Sequence, residues 1–296
     1  MNQNDRAQGV LLGTAVGDAL GAGYEFTHPA ADVVIDMIGG GPFDWAPGEW
    51  TDDTSMAVCV ARALADGTGL DGVAQQFGAW YDTNPADIGN QTRSVLSRRS
   101  RSASDMTAVA SSLTGRTGGN GSLMRTAPVA LAYLDDENGC IQAANSISAL
   151  THSDPRAGEA CEMWSFAIRH AVLHGSYDGI GLYLDRSDTD DFWRPLLDAA
   201  ETGVPTDFAN NGWVVHALQT AWWAITNGSS LPESLELCVR AGGDTDTTAA
   251  IAGGLLGARW GASAIPDEWT RKVHGYPGYD AADLAALTDT LTGATS

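Results

Sequence analysis

Three glycines at four-residue spacing, Gly13, Gly17 and Gly21, run through the segment RAQGVLLGTAVGDALGAGYEF. Leu12, Val16 and Leu20 form an apolar stripe beside them, so the period is that of an α-helix. Each glycine in a helix interior costs about 1 kcal/mol relative to alanine. Three in register need a compensating contact, and the close approach of another helix would supply one. This stripe points to tight helix-on-helix packing before any other residue is considered.

The same periodicity predicts helices over residues 5 to 24, 54 to 65, 70 to 81, 123 to 134, 139 to 150, 156 to 174, 212 to 226, 231 to 240 and 246 to 259. The nearest approach to a strand is Val33-Val34-Ile35, too short to matter. Connections are rich in Gly, Asp, Pro and Ser. No long low-complexity linker divides the chain, and no repeat of solenoid period is present. The expected architecture is all-α, a compact bundle forming one domain over residues 1–296, with functional loops at helix ends.

Charge narrows the partners. Sixteen basic residues against 37 acidic ones give a net charge of −21, and Lys272 is the only lysine. That balance argues against nonspecific binding to DNA, RNA or an anionic membrane. Cys59, Cys140, Cys161 and Cys238 make no CxxC pair or zinc spacing, and each lies in a helical apolar stretch. They read as buried free thiols, as in a reducing cytoplasm. The first residues carry no charged-then-apolar signal pattern, and no apolar run reaches the roughly 18 residues of a membrane span. A soluble, cytoplasmic, monomeric protein is the expectation.

Two acidic segments carry the chemistry. WTDDTSMA (50 to 57) puts Thr51, Asp52, Asp53 and Thr54 together at a helix start, and AGGDTDTTAAIAGG (241 to 254) does the same with Asp244, Thr245, Asp246, Thr247 and Thr248. A helix N-terminus accepts one capping Asp or Thr, but adjacent acids exceed what a cap uses. If the two mouths converge, their carboxylates repel unless a hard cation neutralises them. Oxygen-only donors favour Mg²⁺, Mn²⁺ or Ca²⁺, and the number of carboxylates suits two ions. The second helix is built of Ala and Gly, so its backbone can pack closely against a neighbour.

Three further features surround this pair. TGGNGSLMRTAPVAL (117 to 131) holds Gly118, Gly119, Asn120 and Gly121 before a helix, a backbone that can wrap a phosphate or simply turn. Arg125 could reach a phosphate or bind a helix cap. His152, in THSDPRAGEAC, sits before Pro155 at another helix mouth, where it could touch substrate or serve a local hydrogen bond. Glu25 follows the glycine-striped helix. Spacing alone makes it a solvated carboxylate, although the junction also suits a general base. Ten tryptophans invite a stacking role, but Trp222 and Trp223 are adjacent on a helix and cannot share one platform, so most read as core.

The stretches GTAVGDALGAGYEF, WTDDTSMA, PADIGNQTR, GNGSLMRTAPVAL, THSDPRAG, GWVVHALQTAWWA and AGGDTDTTAAIAGGLLGA, in this order, resemble the ADP-ribosylglycohydrolase family. The resemblance runs from about residue 8 to residue 261. It implies an all-α fold of the ADP-ribosylglycohydrolase type, with two Mg²⁺ or Mn²⁺ ions in a central cleft. It assigns Thr51, Asp52, Asp53, Asp244, Asp246 and Thr247 as metal ligands, and Glu25 with Asp52, Asp53 and Asp246 as the catalytic group. Gly119, Asn120, Gly121 and Ser122 fall near the diphosphate of ADP-ribose, and His152 falls beside the substrate. Ser122, Leu123 and Met124 include no aromatic where some relatives carry one, so the adenine contact is left unassigned. The implied reaction is hydrolysis of an ADP-ribosyl linkage on a protein side chain, arginine first, or on a small-molecule conjugate. Serine or ester linkages, a non-catalytic ADP-ribose binder and a general acidic phosphate hydrolase are the alternatives. Residues 176 to 208 match no part of the family pattern.

Overall fold

The structure, a computed structural model, describes residues 2–294. Its regular elements are helices α1 (Gln3–Gly21), α2 (Asp52–Ala65), α3 (Gly69–Tyr81), α4 (Asn90–Leu96), α5 (Ala103–Ser112), α6 (Ala127–Ala132), α7 (Glu137–Ala149) and α8 (Pro155–His174). They continue with α9 (Gly179–Leu184), α10 (Asp190–Thr202), α11 (Val214–Asn227), α12 (Leu231–Ala241), α13 (Thr245–Trp260), α14 (Asp267–Thr270) and α15 (Ala281–Thr292). A small antiparallel hairpin, β1 (His274–Gly275) with β2 (Tyr279–Asp280), precedes the last helix.

The glycine stripe of α1 finds its partner in the Ala/Gly-rich α13. Gly9 faces Gly257, Gly13 faces Gly253, Gly17 faces Ala249 and Gly21 faces Thr245, each so closely that a Cβ would collide with the opposing backbone. Numbers rise along α1 as they fall along α13, so the two helices run antiparallel. Thr245 Oγ1 donates to the Gly21 carbonyl at 2.8 Å and fixes the register. This pairing delivers the end of α1, and the turn bearing Glu25, to the start of α13, where Asp246 sits. Two backbone bonds hold the junction: Phe26 N–H to Gly243 O at 2.6 Å, and Gly243 N–H to Thr27 O at 3.1 Å.

Other helices wrap this pair around one contiguous apolar core. Trp164 of α8 donates to the Ile251 carbonyl of α13 at 3.0 Å. Trp50, Trp80, Trp164, Trp193, Trp222 and Trp269 are buried, so most of the tryptophans are core, as the spacing of Trp222 and Trp223 implied. All four cysteines are free and buried. No described helix is long and apolar enough to cross a membrane.

The sequence reading falls short in identifiable places. The helix expected over 123 to 134 is a tight 3-10 turn, Asn120–Arg125, followed by the short α6, because Gly-Asn-Gly and Pro128 interrupt it. Residues 176 to 208 hold α9 and α10, and α10 buries Trp193 and Leu197 despite carrying Pro195 in its interior. Helices α4, α5 and α15 also lay outside the predicted set. Val33-Val34-Ile35 forms no strand.

Candidate active site

At the start of α2, Thr51 is the N-cap, accepting from Asp53 N–H at 3.5 Å and donating its hydroxyl to Asp53 Oδ2 at 2.9 Å. The helix end also receives a carboxylate from α1. Asp18 Oδ1 accepts from Thr51 N–H at 2.9 Å, and Oδ2 accepts from Thr54 N–H at 2.9 Å and Thr54 Oγ1 at 2.6 Å. Thr51 and Asp18 therefore meet the capping demand of this helix, and Asp52 and Asp53 are surplus to it. Asp52 takes only a long bond from Gly89 N–H, 3.3 Å, and Asp53 Oδ1 is buried with no partner.

The start of α13 repeats the pattern. Gly242 and Gly243 occupy left-handed backbone, φ 76° and 74°, which folds the chain sharply before Asp244. Asp244 stands at the N-cap position but makes no side-chain cap bond. Its Oδ2 instead accepts from Asn120 Nδ2 at 2.7 Å, and its N–H donates to Asn211 Oδ1 at 3.0 Å. Asp246 Oδ1 is buried and unpartnered, as is Glu25 Oε2. Far from being solvated, Glu25 is 6% exposed.

The two mouths meet. Oxygens of Asp18, Asp53 and Asp246 lie within 4.8 Å of one another, and so do oxygens of Glu25, Asp87 and Asp246. Asp246 belongs to both groups. Among the described residues none of these carboxylates enters an ion pair. Burial first, and neighbouring carboxylates second, push Glu25 up to about 9 and hold Asp246, Asp52 and Asp53 well above the usual carboxylate range. Burial raises Asp18 to about 6; burial and then Asp244 raise Asp87 to about 6. Three orphaned buried oxygens in an oxygen-only cluster fit hard divalent cations, which would satisfy the lone pairs and neutralise the charge.

These groups open into a cleft of about 1020 Å³, at the large end for a small-molecule site. Glu25, Asp52, Asp244, Asp246, Thr247, Gly119, Asn120, Gly121 and His152 line it. Asp53 and Thr51 sit behind the wall. Ser122 does not face the cleft: its Oγ accepts from Ser148 Oγ at 2.9 Å and Cys161 Sγ at 3.6 Å in the core, because the 3-10 turn rotates it inward. Arg125 reaches no phosphate site; it is wholly buried and donates to the Ile147 carbonyl in the last turn of α7.

The sequence reading missed several residues here. Asp18 is the one acid in the middle of the glycine-striped helix, whose other acid, Asp5, lies in the first turn, and its only signal is a charge in a run of small and mostly apolar residues. Asp87 lies in the loop PADIG, which shares in the family resemblance, and a single acid in a loop carries no spacing signal of a role. Asn211 ties Asp244 N–H to the Gly242 carbonyl, which its Nδ2 meets at 2.8 Å. Trp213, Arg116 and Arg93 line the cleft, Trp213 pairing through its backbone with Gly119. Phe26, next to Glu25, lines it with 67% of its surface exposed.

An all-α scaffold that closes an acidic cluster and a glycine loop around one deep cleft defines a class of protein. The ADP-ribosylglycohydrolase family model matches residues 1–296, and the chain belongs to that family. It is similar to the ADP-ribosylarginine hydrolase Tri1 of Pseudomonas putida, 33% identical over 283 residues, covering 91% of this chain and 74% of the relative. It is also similar to the ADP-ribosyl-dinitrogen reductase glycohydrolase of Rhodospirillum rubrum, 31% identical over 277 residues, covering 91% and 90%. Among solved structures, one described as an ADP-ribosylglycohydrolase-related protein complex superposes with a TM-score of 0.80 at 31% identity, covering 99% of this chain and 98% of the other.

Proposed function

We propose that this protein is a divalent-cation-dependent hydrolase that releases ADP-ribose from ADP-ribosylated arginine side chains. The observation that carries the reading is the convergence of unpartnered oxygens from Glu25, Asp53 and Asp246 beside a glycine-lined cleft. Thr51, Asp52, Asp53, Asp244, Asp246 and Thr247 would hold two Mg²⁺ or Mn²⁺ ions, with Asp18 bracing α2 behind them. Bound there, the ions would supply positive charge for gripping ribose hydroxyls and lowering the pKa of water.

The chain's own groups divide the work. Gly119, Asn120 and Gly121 seat the diphosphate at the edge of the carboxylate cluster, to which Asn120 is tied through Asp244, with Arg116 on the same loop offering counter-charge. Trp213, lining the cleft beside Gly119, offers a flat face to the base. Glu25, ionised once positive charge in the cluster offsets the burial and carboxylate repulsion that raise it, accepts a proton from the attacking water as the water's oxygen bonds to the anomeric carbon of the distal ribose. The bond from that carbon to the guanidine nitrogen breaks, and the departing guanidine takes up the proton. The lining carboxylates stabilise the oxocarbenium character that develops between these events. Arginine is favoured as acceptor because Asp87 stands with Glu25 at the cleft, a carboxylate suited to a planar cation. The activity named for the Pseudomonas putida relative, hydrolysis of ADP-ribosylarginine, points the same way.

The test is turnover of arginine-, serine- and ester-linked ADP-ribose by purified protein with Mg²⁺ or Mn²⁺. Release from arginine, abolished by EDTA and by Asp246→Asn, is expected. Full activity after exhaustive chelation refutes the cation role. Calorimetric binding of ADP-ribose with no turnover of any linkage refutes catalysis and makes the chain a binder.

A further inference from the structure

Arg125 is wholly buried, yet no carboxylate pairs with it among the described residues. Its guanidinium lies over the Phe77 ring at 4.5 Å, and Nη1 reaches only Met56 Sδ, at 3.8 Å. A buried charge without a counter-ion is expensive to maintain and calls for a use. The use is at Nη2, which donates to the Ile147 carbonyl at 3.1 Å and to Thr151 Oγ1 at 2.7 Å.

Thr151 is itself fully buried and has one hydroxyl hydrogen to place. Its oxygen already accepts from Arg125. The other partner of that oxygen is His152 Nδ1, at 2.8 Å. If Nδ1 carried a proton, two donors would point at Oγ1 and the threonine hydrogen would be buried without an acceptor, which folded proteins avoid. The bond therefore runs from Thr151 Oγ1–H to Nδ1, and the ring proton resides on Nε2. Among the described residues Nε2 has no protein partner, and it faces the glycine loop: a Cβ placed on Gly121 would lie 3.3 Å from it, and one on Gly119 3.4 Å. His152 lines the cleft at that point. Burial, and secondarily the Arg125 charge, hold its pKa well below the usual value, so the ring is neutral.

We infer that Arg125 and Thr151 are positioning residues that fix His152 as the Nε2–H tautomer, presenting one oriented donor to an oxygen of the ligand seated on the glycine loop. That the ligand is an ADP-ribosyl group rests on the function proposed above; the tautomer does not.

The experiment is long-range ¹H–¹⁵N NMR of the ¹⁵N-histidine-labelled protein, which reads the tautomer of each ring without any turnover, with ADP-ribose as the added probe. The wild-type His152 ring is expected to carry its proton on Nε2 and to shift at that nitrogen when ADP-ribose binds. Thr151→Val removes the hydroxyl and keeps the shape; it should release the ring into a mixture of tautomers and raise KM about ten-fold, the loss of one hydrogen bond, with kcat changed less. Thr151→Ser should restore both. An Nδ1–H ring in the wild type overturns the inference whatever the enzyme hydrolyses, and so does a Thr151→Val protein with an unchanged ring and KM. An Nε2–H ring in a protein that neither binds nor turns over ADP-ribosyl compounds upholds the tautomer and overturns the proposed function instead.

Discussion

Asn120 Nδ2 donates to Asp244 Oδ2 at 2.7 Å, so the glycine loop and the acidic cluster are one connected structure. The same amide donates to the Asn211 carbonyl at 2.9 Å, and Asn211 in turn holds the Asp244 backbone. Asn120→Ala would leave both oxygens without their donor, a loss of about 1–3 kcal/mol where groups are buried. kcat/KM should fall by roughly ten- to hundred-fold. Asn120→Asp, which turns a donor toward Asp244 into a second negative charge, should be worse than alanine at neutral pH. Equal or better activity in the aspartate variant would contradict this account of the loop.

The raised carboxylates set the pH dependence of the cation-free protein. In the unfolded chain these groups titrate near pH 4. Folded, Asp18 and Asp87 are held at about 6 and Glu25 at about 9. Between those limits these carboxylates bind more protons in the folded state than in the unfolded one, so their contribution to stability falls as pH rises. Asp36, lowered by its bond to Lys272, acts in the opposite sense below the normal carboxylate range, and His152, His170 and His216, lowered first by burial, act in the opposite sense below about pH 6.5, so the carboxylates set the slope only above neutrality. Calorimetric Tm of chelated protein should therefore be lower at about pH 8.5 than at about pH 7. Adding Mn²⁺ should raise Tm, and more so at the higher pH, because the cations compete with protons for the same oxygens. A chelated protein whose Tm rises over that interval would show that the cluster is not under charge strain.

Two glycine-to-alanine changes should move stability in opposite directions. At Gly13 an added methyl would meet the Gly253 carbonyl, a backbone atom that cannot rotate away. Gly13→Ala should destabilise by about 2 kcal/mol or more, outweighing the better helix propensity of alanine. Gly181, inside α9, has nothing within 4 Å of the same position. There the substitution should stabilise by about 0.5–1 kcal/mol. Chemical denaturation of the two variants measures both; a neutral Gly13→Ala would mean that α1 and α13 do not pack backbone to backbone.

How much of this was legible follows from where each residue stands. Asp52, Asp53, Asp244 and Asp246 announce themselves because adjacent acids at a helix start exceed what one cap absorbs. The α1 stripe was readable because glycine at helical spacing has no local justification, and only Gly9 escaped notice. Asp18 and Asp87 were not readable, since a single acid in a helix or loop carries no periodic signal; only the fold brings them to the cluster. Ser122 rests on the resemblance alone, and no spacing signal tells that the 3-10 turn rotates its hydroxyl into the core. Helix α10 stayed hidden because Pro195 mimics a helix stop, although tertiary packing of Trp193 and Leu197 overrides it. Pairing between distant segments is the part of a fold that local pattern does not encode.

On the proposed reading, Asp87 sets the preference of the cleft for arginine. The loop that carries it is joined to the acidic cluster through Gly89 N–H and Asp52 Oδ2 at 3.3 Å, and its carboxylate stands near Glu25 and Asp246. A guanidinium placed there gains a charge-assisted bond worth about 1.5–3 kcal/mol, while a serine oxygen or an ester gains none. Asp87→Asn keeps the shape and removes the charge. Turnover of arginine-linked ADP-ribose should fall about ten- to hundred-fold, with serine- and ester-linked substrates affected much less. The discriminating measurement is the ratio of kcat/KM values, taken alongside calorimetric Mn²⁺ affinity. Parallel losses on every linkage with weakened Mn²⁺ binding would assign Asp87 to the cations, and the preference for arginine would then need a different residue at the cleft mouth.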